Sequence, residues 1–201
     1  MKRNRNSGFT LIELLTVMAI IGILAGILIP AVDTVRKRAN IAASKSQISG
    51  YLNAIQLFKG EYNYYPFPDA QDSDSKSGGA TIETIGYDEF IGALSARDLS
   101  GDRIAADAPD KYGNRKLNSF HDFSDNDFLS GDPSTGKIAD RFNNTNIFIA
   151  IDGNGDGKIE GLPNPTGGAD IAVRSSVTAY VQKDSEAVSP EEEGFDYYLY
   201  E

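Results

Sequence analysis

The chain has 201 residues, no cysteine and a formal net charge of −10. This length suits one ordinary domain plus an anchor, and the absence of cysteine excludes disulfide bonds, a thiolate nucleophile and cysteine-ligated metal centres. Three of the 19 basic residues precede Phe9, and one of the 29 acidic residues, Glu13, lies in an early apolar run, which leaves −12 on the residues from Asp33 onward. Such an acidic body argues against a nucleic-acid partner, because phosphate contacts need clustered basic surface.

Residues 9–32 form an apolar run in which Glu13 is the only charge. As a helix rising about 1.5 Å per residue, the run is long enough to cross a bilayer core of about 30 Å. A cleaved signal peptide is disfavoured, because the core is too long and bulky Ile29 precedes the candidate cleavage site after Ala31. A plain single-span anchor is the other alternative. Neither explains a carboxylate inside the run, which is costly in lipid and usually has a partner.

The stretch GFTLIE at residues 8–13 follows a short basic leader. It resembles the class III signal of type IV pilins and type II secretion pseudopilins, in which a glycine precedes the cut and an acid is the fifth residue after it. The resemblance implies that a prepilin peptidase cuts between Gly8 and Phe9 on the cytoplasmic side, and that the new amine of Phe9 is methylated.

The resemblance also implies a division of the chain into three segments. These are a leader peptide at 1–8, a transmembrane and filament-core helix at 9–32, and a periplasmic pilin-like domain at 33–201.

Glu13 gains a partner under this interpretation. Cleavage leaves an ammonium group on Phe9, and the Glu13 carboxylate of a neighbouring subunit is placed to neutralise it when helices assemble into a filament. Since burying both charges is expensive, the pair is expected to set the register of assembly rather than to add net stability. The alternative is a Glu13 side chain that extends to the lipid headgroups, which its position near the helix end allows.

Two further features of the apolar run suit a packed membrane helix. Gly22 and Gly26 have the spacing that lets helices approach closely in lipid, and Pro30 removes a backbone donor and favours a kink. The alternative is that Gly22 and Gly26 form a generic face for helix dimerisation. In pilin-like subunits the stretch corresponding to Gly22–Pro30 is a weak point that unwinds during assembly. The basic cluster Arg36–Arg38 is expected to meet lipid headgroups.

Beyond Pro30 the helix is expected to continue as an amphipathic rod, with apolar residues at three- and four-residue spacing up to Tyr62. A short helix is predicted within 87–99, and strands are predicted at 146–151, 171–182 and 195–199. These elements predict an α+β fold in which the long N-terminal helix covers one face of a small antiparallel sheet. Residues 109–114 resemble a turn of major pseudopilins. The sole histidine, His121, is expected to be solvated, and no catalytic residue is predicted.

The sequence DGNGDGK at residues 152–158 fits the front half of a calcium loop, with oxygen ligands at alternate positions and a glycine at the sharp turn. The proposed ligands are the side chains of Asp152, Asn154 and Asp156 and the carbonyl of Lys158. Position twelve of the loop is Pro163 instead of glutamate, so Glu160, Asp170 or water must close the site. Related pseudopilins have a calcium site in their C-terminal loops. The alternative is a glycine-rich turn between strands.

The leading interpretation is a structural subunit of a type II secretion pseudopilus, most similar to the major pseudopilin. Its expected partners are the prepilin peptidase, further copies of itself, minor pseudopilins, the inner-membrane secretion platform and membrane lipid, with no nucleic acid. Its expected location is the bacterial inner membrane, with the C-terminal domain in the periplasm. The alternatives are a type IV pilin or minor pilin and, from another class, a membrane-anchored calcium-binding domain or enzyme that does not polymerise.

Overall fold

The computed structural model describes residues 11–72, 78–105, 112–183 and 196–200. Within these ranges the order of helices and strands is α1 (Leu11–Tyr62), β1 (Ala80–Thr81), α2 (Ile82–Ile85), α3 (Tyr87–Ser95), β2 (Ile147–Ile151), β3 (Ile159–Leu162), β4 (Ile171–Val173), β5 (Val177–Val181) and β6 (Tyr197–Tyr198). The chain divides into two compact units after Asn40. The α+β fold predicted from the sequence is confirmed.

Helix α1 is continuous over 52 residues, and Pro30 lies within it without ending it. In the first unit almost all described side chains of α1 are exposed, including the large apolar ones from Leu11 to Val35. Among the described residues, α1 is the one helix that is long and apolar enough to cross a membrane by length and composition. An exposed apolar surface of this extent requires lipid or protein to cover it.

In the second unit, α1 contributes an apolar stripe to the main core. Its fully buried members are Ile48, Tyr51, Ile55 and Phe58. They share one core cluster with α3 and with alternate residues of two strands, which are Ile147, Ile149, Ile151, Val177, Ala179 and Val181. The predicted packing of the helix on one face of a sheet is therefore confirmed.

The sheet has four antiparallel strands in the order β1-β2-β5-β6. Strands β3 and β4 form a separate antiparallel pair with a register shift between Ile159 and Leu162. The predicted strand at 171–182 is wrong as one element, because the chain leaves strand geometry between Val173 and Val177. The break lets β4 pair with β3 while β5 enters the main sheet.

The second face of the main sheet is also covered, which the alternating pattern did not predict. A smaller cluster joins Ala150 and Tyr180 of the sheet to Ile159 and Leu162 of β3. The ring of Phe148 stacks on Tyr180 with centroids 4.6 Å apart, and the Tyr180 hydroxyl donates to the Gly78 carbonyl at 2.9 Å. Residues on both faces of β2 and β5 are therefore removed from water.

The turn at Gly113 and Asn114, which resembles a pseudopilin turn, holds the end of α1 against α3. The buried Asn114 side chain makes four hydrogen bonds: Tyr62 Oη donates to its Oδ1 at 2.6 Å, its Nδ2 donates to the Ala93 carbonyl at 2.9 Å, and the other two are with the backbone of Asn118. Gly113 has φ +73° and its carbonyl accepts from Tyr64 Oη at 2.6 Å. Pro109, Asp110 and Lys111 lie outside the described residues.

His121 is half-buried rather than solvated, so that expectation is wrong. Its ring packs edge-on against Tyr51 and Phe123, with centroids 5.0 and 4.7 Å away. Gly50 of α1 leaves the space, since a Cβ at that position would lie 3.3 Å from the imidazole Cε1. The Nε2 atom is buried and has no hydrogen-bond partner in the described structure. Burial lowers the pKa of the imidazole, and the carboxylates of Asp127 and Asp122 only partly oppose this.

This environment predicts a pH dependence of stability. Because the folded-state pKa of His121 lies below the unfolded value of about 6.5, the unfolded chain binds the proton more readily. The stability contributed by neutral His121 is thus present above about pH 6.5 and is lost as the pH falls below it. Urea unfolding of a fragment starting at Asp33 should show a lower free energy of unfolding at about pH 5.5 than at about pH 7.5. The variant His121→Asn should show a smaller decrease, and an equal decrease in both proteins would contradict this explanation.

Candidate functional sites on the N-terminal helix and the Asp152 loop

The first candidate site is the start of α1. Glu13 lies in the first turn of the helix and is exposed. One turn later, Thr16 Oγ1 donates to the carbonyls of Ile12 and Glu13, both at 3.0 Å, so this hydroxyl is satisfied within the helix. The predicted processing residues Gly8 and Phe9 lie outside the described residues, and the pairing of Glu13 with the Phe9 amine stays a prediction.

The second feature of α1 is the surface around its two small residues. A Cβ built on Gly22 or on Gly26 would meet nothing within 4 Å. The neighbouring side chains of Ile21, Ile23 and Ile27 are each more than half exposed. This face is therefore shaped for close approach by another apolar helix. Pro30 follows within the same helix, and the predicted unwinding of Gly22–Pro30 during assembly stays a prediction.

The third candidate site is the loop between β2 and β3, which contains the predicted calcium ligands. Asp152 is buried at the end of β2, and its two carboxylate oxygens accept from the backbone N–H groups of Gly155 at 2.7 Å and Gly157 at 2.9 Å. Asn154 Oδ1 accepts from the Asp156 N–H, and Asp156 Oδ1 accepts from the Lys158 N–H, both at 2.8 Å. The oxygens of all three side chains therefore accept backbone hydrogen bonds within the loop, as in Asx turns.

Glu160 and Asp170, the two side chains predicted to close the site, lie outside this loop. Glu160 is exposed on β3, where its carbonyl accepts from the Gly78 N–H at 2.8 Å, and Asp170 is exposed just before β4. The Lys158 ammonium lies 3.6 Å from the Asp156 carboxylate. No group of three or more acidic or histidine side chains suited to a metal occurs among the described residues. Calcium binding by Asp152, Asn154, Asp156 and the Lys158 carbonyl stays a prediction, and no residue is assigned to close the site.

Asp72 lies beside the loop and was not predicted from the sequence. Asp72 is buried and its Oδ1 accepts from the Gly153 N–H at 2.8 Å, while its own N–H donates to the Ile151 carbonyl at 2.8 Å. Gly153 is required at this contact, because a Cβ there would lie 2.7 Å from the Asp72 carbonyl oxygen. Asp72 belongs to a polar stretch without periodicity, so only its acidic side chain could have drawn attention to it.

The long helix begins with an exposed apolar segment and ends in the core of a small antiparallel sheet, which is a pilin-like α+β architecture. A family model described as "Prokaryotic N-terminal methylation motif" matches residues 3–29. The match includes Gly8, Phe9, Glu13, Gly22 and Gly26. The start of the chain therefore matches a methylation motif, as the resemblance implied.

The curated relatives are secretion and pilus components. The chain is 36% identical over 66 residues to the type II secretion system core protein G of Aeromonas hydrophila, which is 33% of this chain and 46% of that protein. The same protein of Pseudomonas aeruginosa gives the same values. The type IV wide pilus major component PilA4 of Thermus thermophilus is 51% identical over 55 residues, which is 27% of this chain and 39% of that protein.

The similarity to these relatives is limited in extent. The chain spans less than half the length of the curated relatives that it matches. No solved structure gives a significant match. The resemblance to type IV pilins and type II secretion pseudopilins is thus confirmed for the N-terminal part of the chain.

The Asp152 loop allows a direct test of calcium binding. With a dissociation constant of about 0.1 mM, about 1 mM calcium would stabilise the folded state by about 1.4 kcal/mol, which raises the melting temperature by about 3–6 °C. Magnesium should have a much smaller effect, because it demands near-ideal octahedral geometry and loses water reluctantly. Thermal melting of the fragment starting at Asp33, in calcium, magnesium and chelator, provides the measurement.

The structure decides which variants are informative in this test. Asp152→Ala would remove two hydrogen bonds to backbone N–H groups and destabilise the loop without any metal. Asp156→Asn keeps an oxygen acceptor for the Lys158 N–H and removes the charge, so it should abolish the calcium-dependent shift with little change in chelator. Asp170→Asn and Glu160→Gln test the closing ligand. Identical melting curves in calcium and chelator would leave the loop as a turn.

Proposed function

We propose that the chain is a structural subunit of a type II secretion pseudopilus that polymerises through α1. The observation that carries the proposal is the methylation motif at 3–29 in continuity with a 52-residue helix. Helix α1 exposes apolar side chains in the first unit of the chain. In the second unit it buries the apolar stripe described above. One helix thereby joins a segment that needs lipid or other subunits to a domain that is folded around its own core.

Processing and location follow from the same helix. The prepilin peptidase cuts between Gly8 and Phe9 on the cytoplasmic side and leaves a methylated amine on Phe9. The apolar segment then holds the subunit in the bacterial inner membrane with its C-terminal domain in the periplasm. The name shared by the Aeromonas hydrophila and Pseudomonas aeruginosa relatives supports a secretion filament, and hence partners that include minor pseudopilins and the inner-membrane secretion platform.

A type IV pilin is the second candidate function. The 51% identity to a wide pilus component of Thermus thermophilus favours it over the matched 55 residues. Secretion and pilus components both occur among the relatives, so the comparisons support a polymerising subunit more strongly than either kind of filament. Neighbouring genes for a secretion ATPase and an outer-membrane secretin would favour the secretion pseudopilus, together with loss of protein export when this chain is deleted.

A membrane-anchored protein that never polymerises is the candidate from another class. The sequence predicts no catalytic residue for an enzyme of this kind, and the one histidine of the chain packs against Tyr51 and Phe123. Calcium binding at Asp152 is compatible with every candidate and would act on the stability of the body. Recovery of the chain in a sheared filament fraction separates the polymerising candidates from this one.

The proposed function predicts how the chain is processed. The mature protein should begin at N-methylated Phe9, because Gly8 supplies the small residue before the cut. Intact-mass analysis of the membrane fraction measures both the cleavage and the added methyl group. The variant Gly8→Arg should retain the leader, since a bulky charged side chain replaces the small one, and Ser7→Ala should be cleaved normally. A mature chain that begins near Val32 would contradict the proposal.

The proposed function also predicts how a change at Glu13 affects assembly. Glu13→Val should leave membrane insertion and folding intact, because the helix becomes more apolar, but it should reduce incorporation into filaments, because the Phe9 ammonium loses its partner. The matched control is Thr16→Val, which removes only hydrogen bonds within the helix. The measurement is the ratio of sheared to total protein in cells that express the variant with the wild type. Equal incorporation of Glu13→Val would contradict the register argument.

A further inference from the structure

A groove of about 220 Å³ opens beside the end of α3. We call it the acidic groove. Its apolar lining consists of Ile91, Leu99, Phe123, Phe128 and Pro133. Leu99 is 41% exposed, which leaves apolar surface open to solvent at the mouth. The volume lies below the range of about 300–1,000 Å³ that is usual for small-molecule sites, and it suits one or two protein side chains.

The charged residues that line the groove give it a net negative charge. They are Asp98, Asp122 and Asp125, with Arg97 as the one cation among the described lining residues. Asp98 Oδ1 accepts from the backbone N–H groups of Ser100 at 2.9 Å and Asp102 at 3.0 Å, which fixes its orientation. The Arg97 guanidinium donates a hydrogen bond to the Gly101 carbonyl at 2.8 Å. A partner that offers one apolar and one basic side chain would complement this surface.

The chain itself carries such a pair on α1. Val35 and Arg38 are three residues apart in the helix and therefore lie on the same face. Val35 is 66% exposed, and Arg38 is exposed as well. Arginine is also the charged residue most often found at the centre of protein interfaces, because its aliphatic stem packs while its guanidinium pairs.

We propose that Val35 and Arg38 of one copy enter the acidic groove of a second copy. Val35 packs on Leu99 and Phe128, and Arg38 pairs with the Asp122 and Asp125 carboxylates at the rim. The contact rests on the proposed function, since it is made between subunits of a filament. It gives the acidic body a role in assembly that is separate from the apolar contacts of the membrane segment.

Crosslinking of the full-length protein in sheared filaments tests the contact directly. The natural chain has no cysteine, so a protein with Val35→Cys and Leu99→Cys reports only the engineered pair. A short bismaleimide should give a ladder of dimers and higher multimers. The matched control is Val35→Cys with Arg174→Cys, because Arg174 is exposed but does not line the groove. Filaments that form and give no more ladder than the control would overturn the inference, whereas absence of wild-type filaments would overturn the proposed function itself.

Exchanging the charges of Arg38 and Asp125 tests whether these residues form an ion pair between subunits. Asp125→Arg and Arg38→Asp should each lower the sheared fraction roughly two- to fivefold, as expected for loss of an exposed ion pair, and the double variant should recover most of it. A double variant that is as impaired as the two single losses combined would overturn the inference. Membrane headgroups are the other ligand for Arg38. Impaired membrane retention of Arg38→Asp, with unchanged assembly of Asp125→Arg, would assign Arg38 to lipid and also overturn it.

Discussion

The burial of one stripe of α1 against the central strands is the interaction on which the rest of the body depends. Tyr51, Ile55 and Phe58 are completely buried, and full burial of each such side chain contributes about 1.5–3 kcal/mol. The Tyr51 hydroxyl adds a buried hydrogen bond to Asp127 at 2.8 Å and accepts one from Gln47 at 2.8 Å. The same helix α1 also carries the exposed apolar segment from Leu11 to Val35.

The two faces of β2 extend this constraint to the candidate calcium loop. Ile149 faces the α1 side and Ala150 faces the β3–β4 pair, as the period of two in a strand requires. The chain must therefore pass from one layer to the next directly after Ile151, and the loop from Asp152 to Lys158 makes this crossing. Buried Asp152 and Asp72 hold its backbone in place. A cation bound in this loop would therefore stabilise the connection between the two layers.

The parts of the structure that the sequence predicted are those that local patterns determine. The apolar run, the methylation motif and the spacing of Tyr51, Ile55 and Phe58 are visible within a few turns of helix. The parts that it missed depend on contacts between distant residues. His121 is half-buried because Gly50 leaves space for its ring, and the outer face of the sheet is covered because Val173 and Val177 belong to different strands. The sequence pattern predicted a solvated His121 and a sheet covered by the helix on one face.

The proposed contact between subunits has a geometric consequence for the assembly as a whole. A segment of α1 in one copy meets a groove of the body in the next, so the two surfaces are different and the contact is heterologous. A heterologous contact repeats without closing unless its rotation brings the chain of subunits back to the start, whereas an isologous contact ends at a dimer. Unlike charges on Arg38 and Asp125 favour this head-to-tail arrangement and disfavour body-to-body pairing, because the bodies repel each other at −12 from Asp33 onward. The uneven charge of the chain, which argues against a nucleic-acid partner, thereby also favours a filament over a closed dimer.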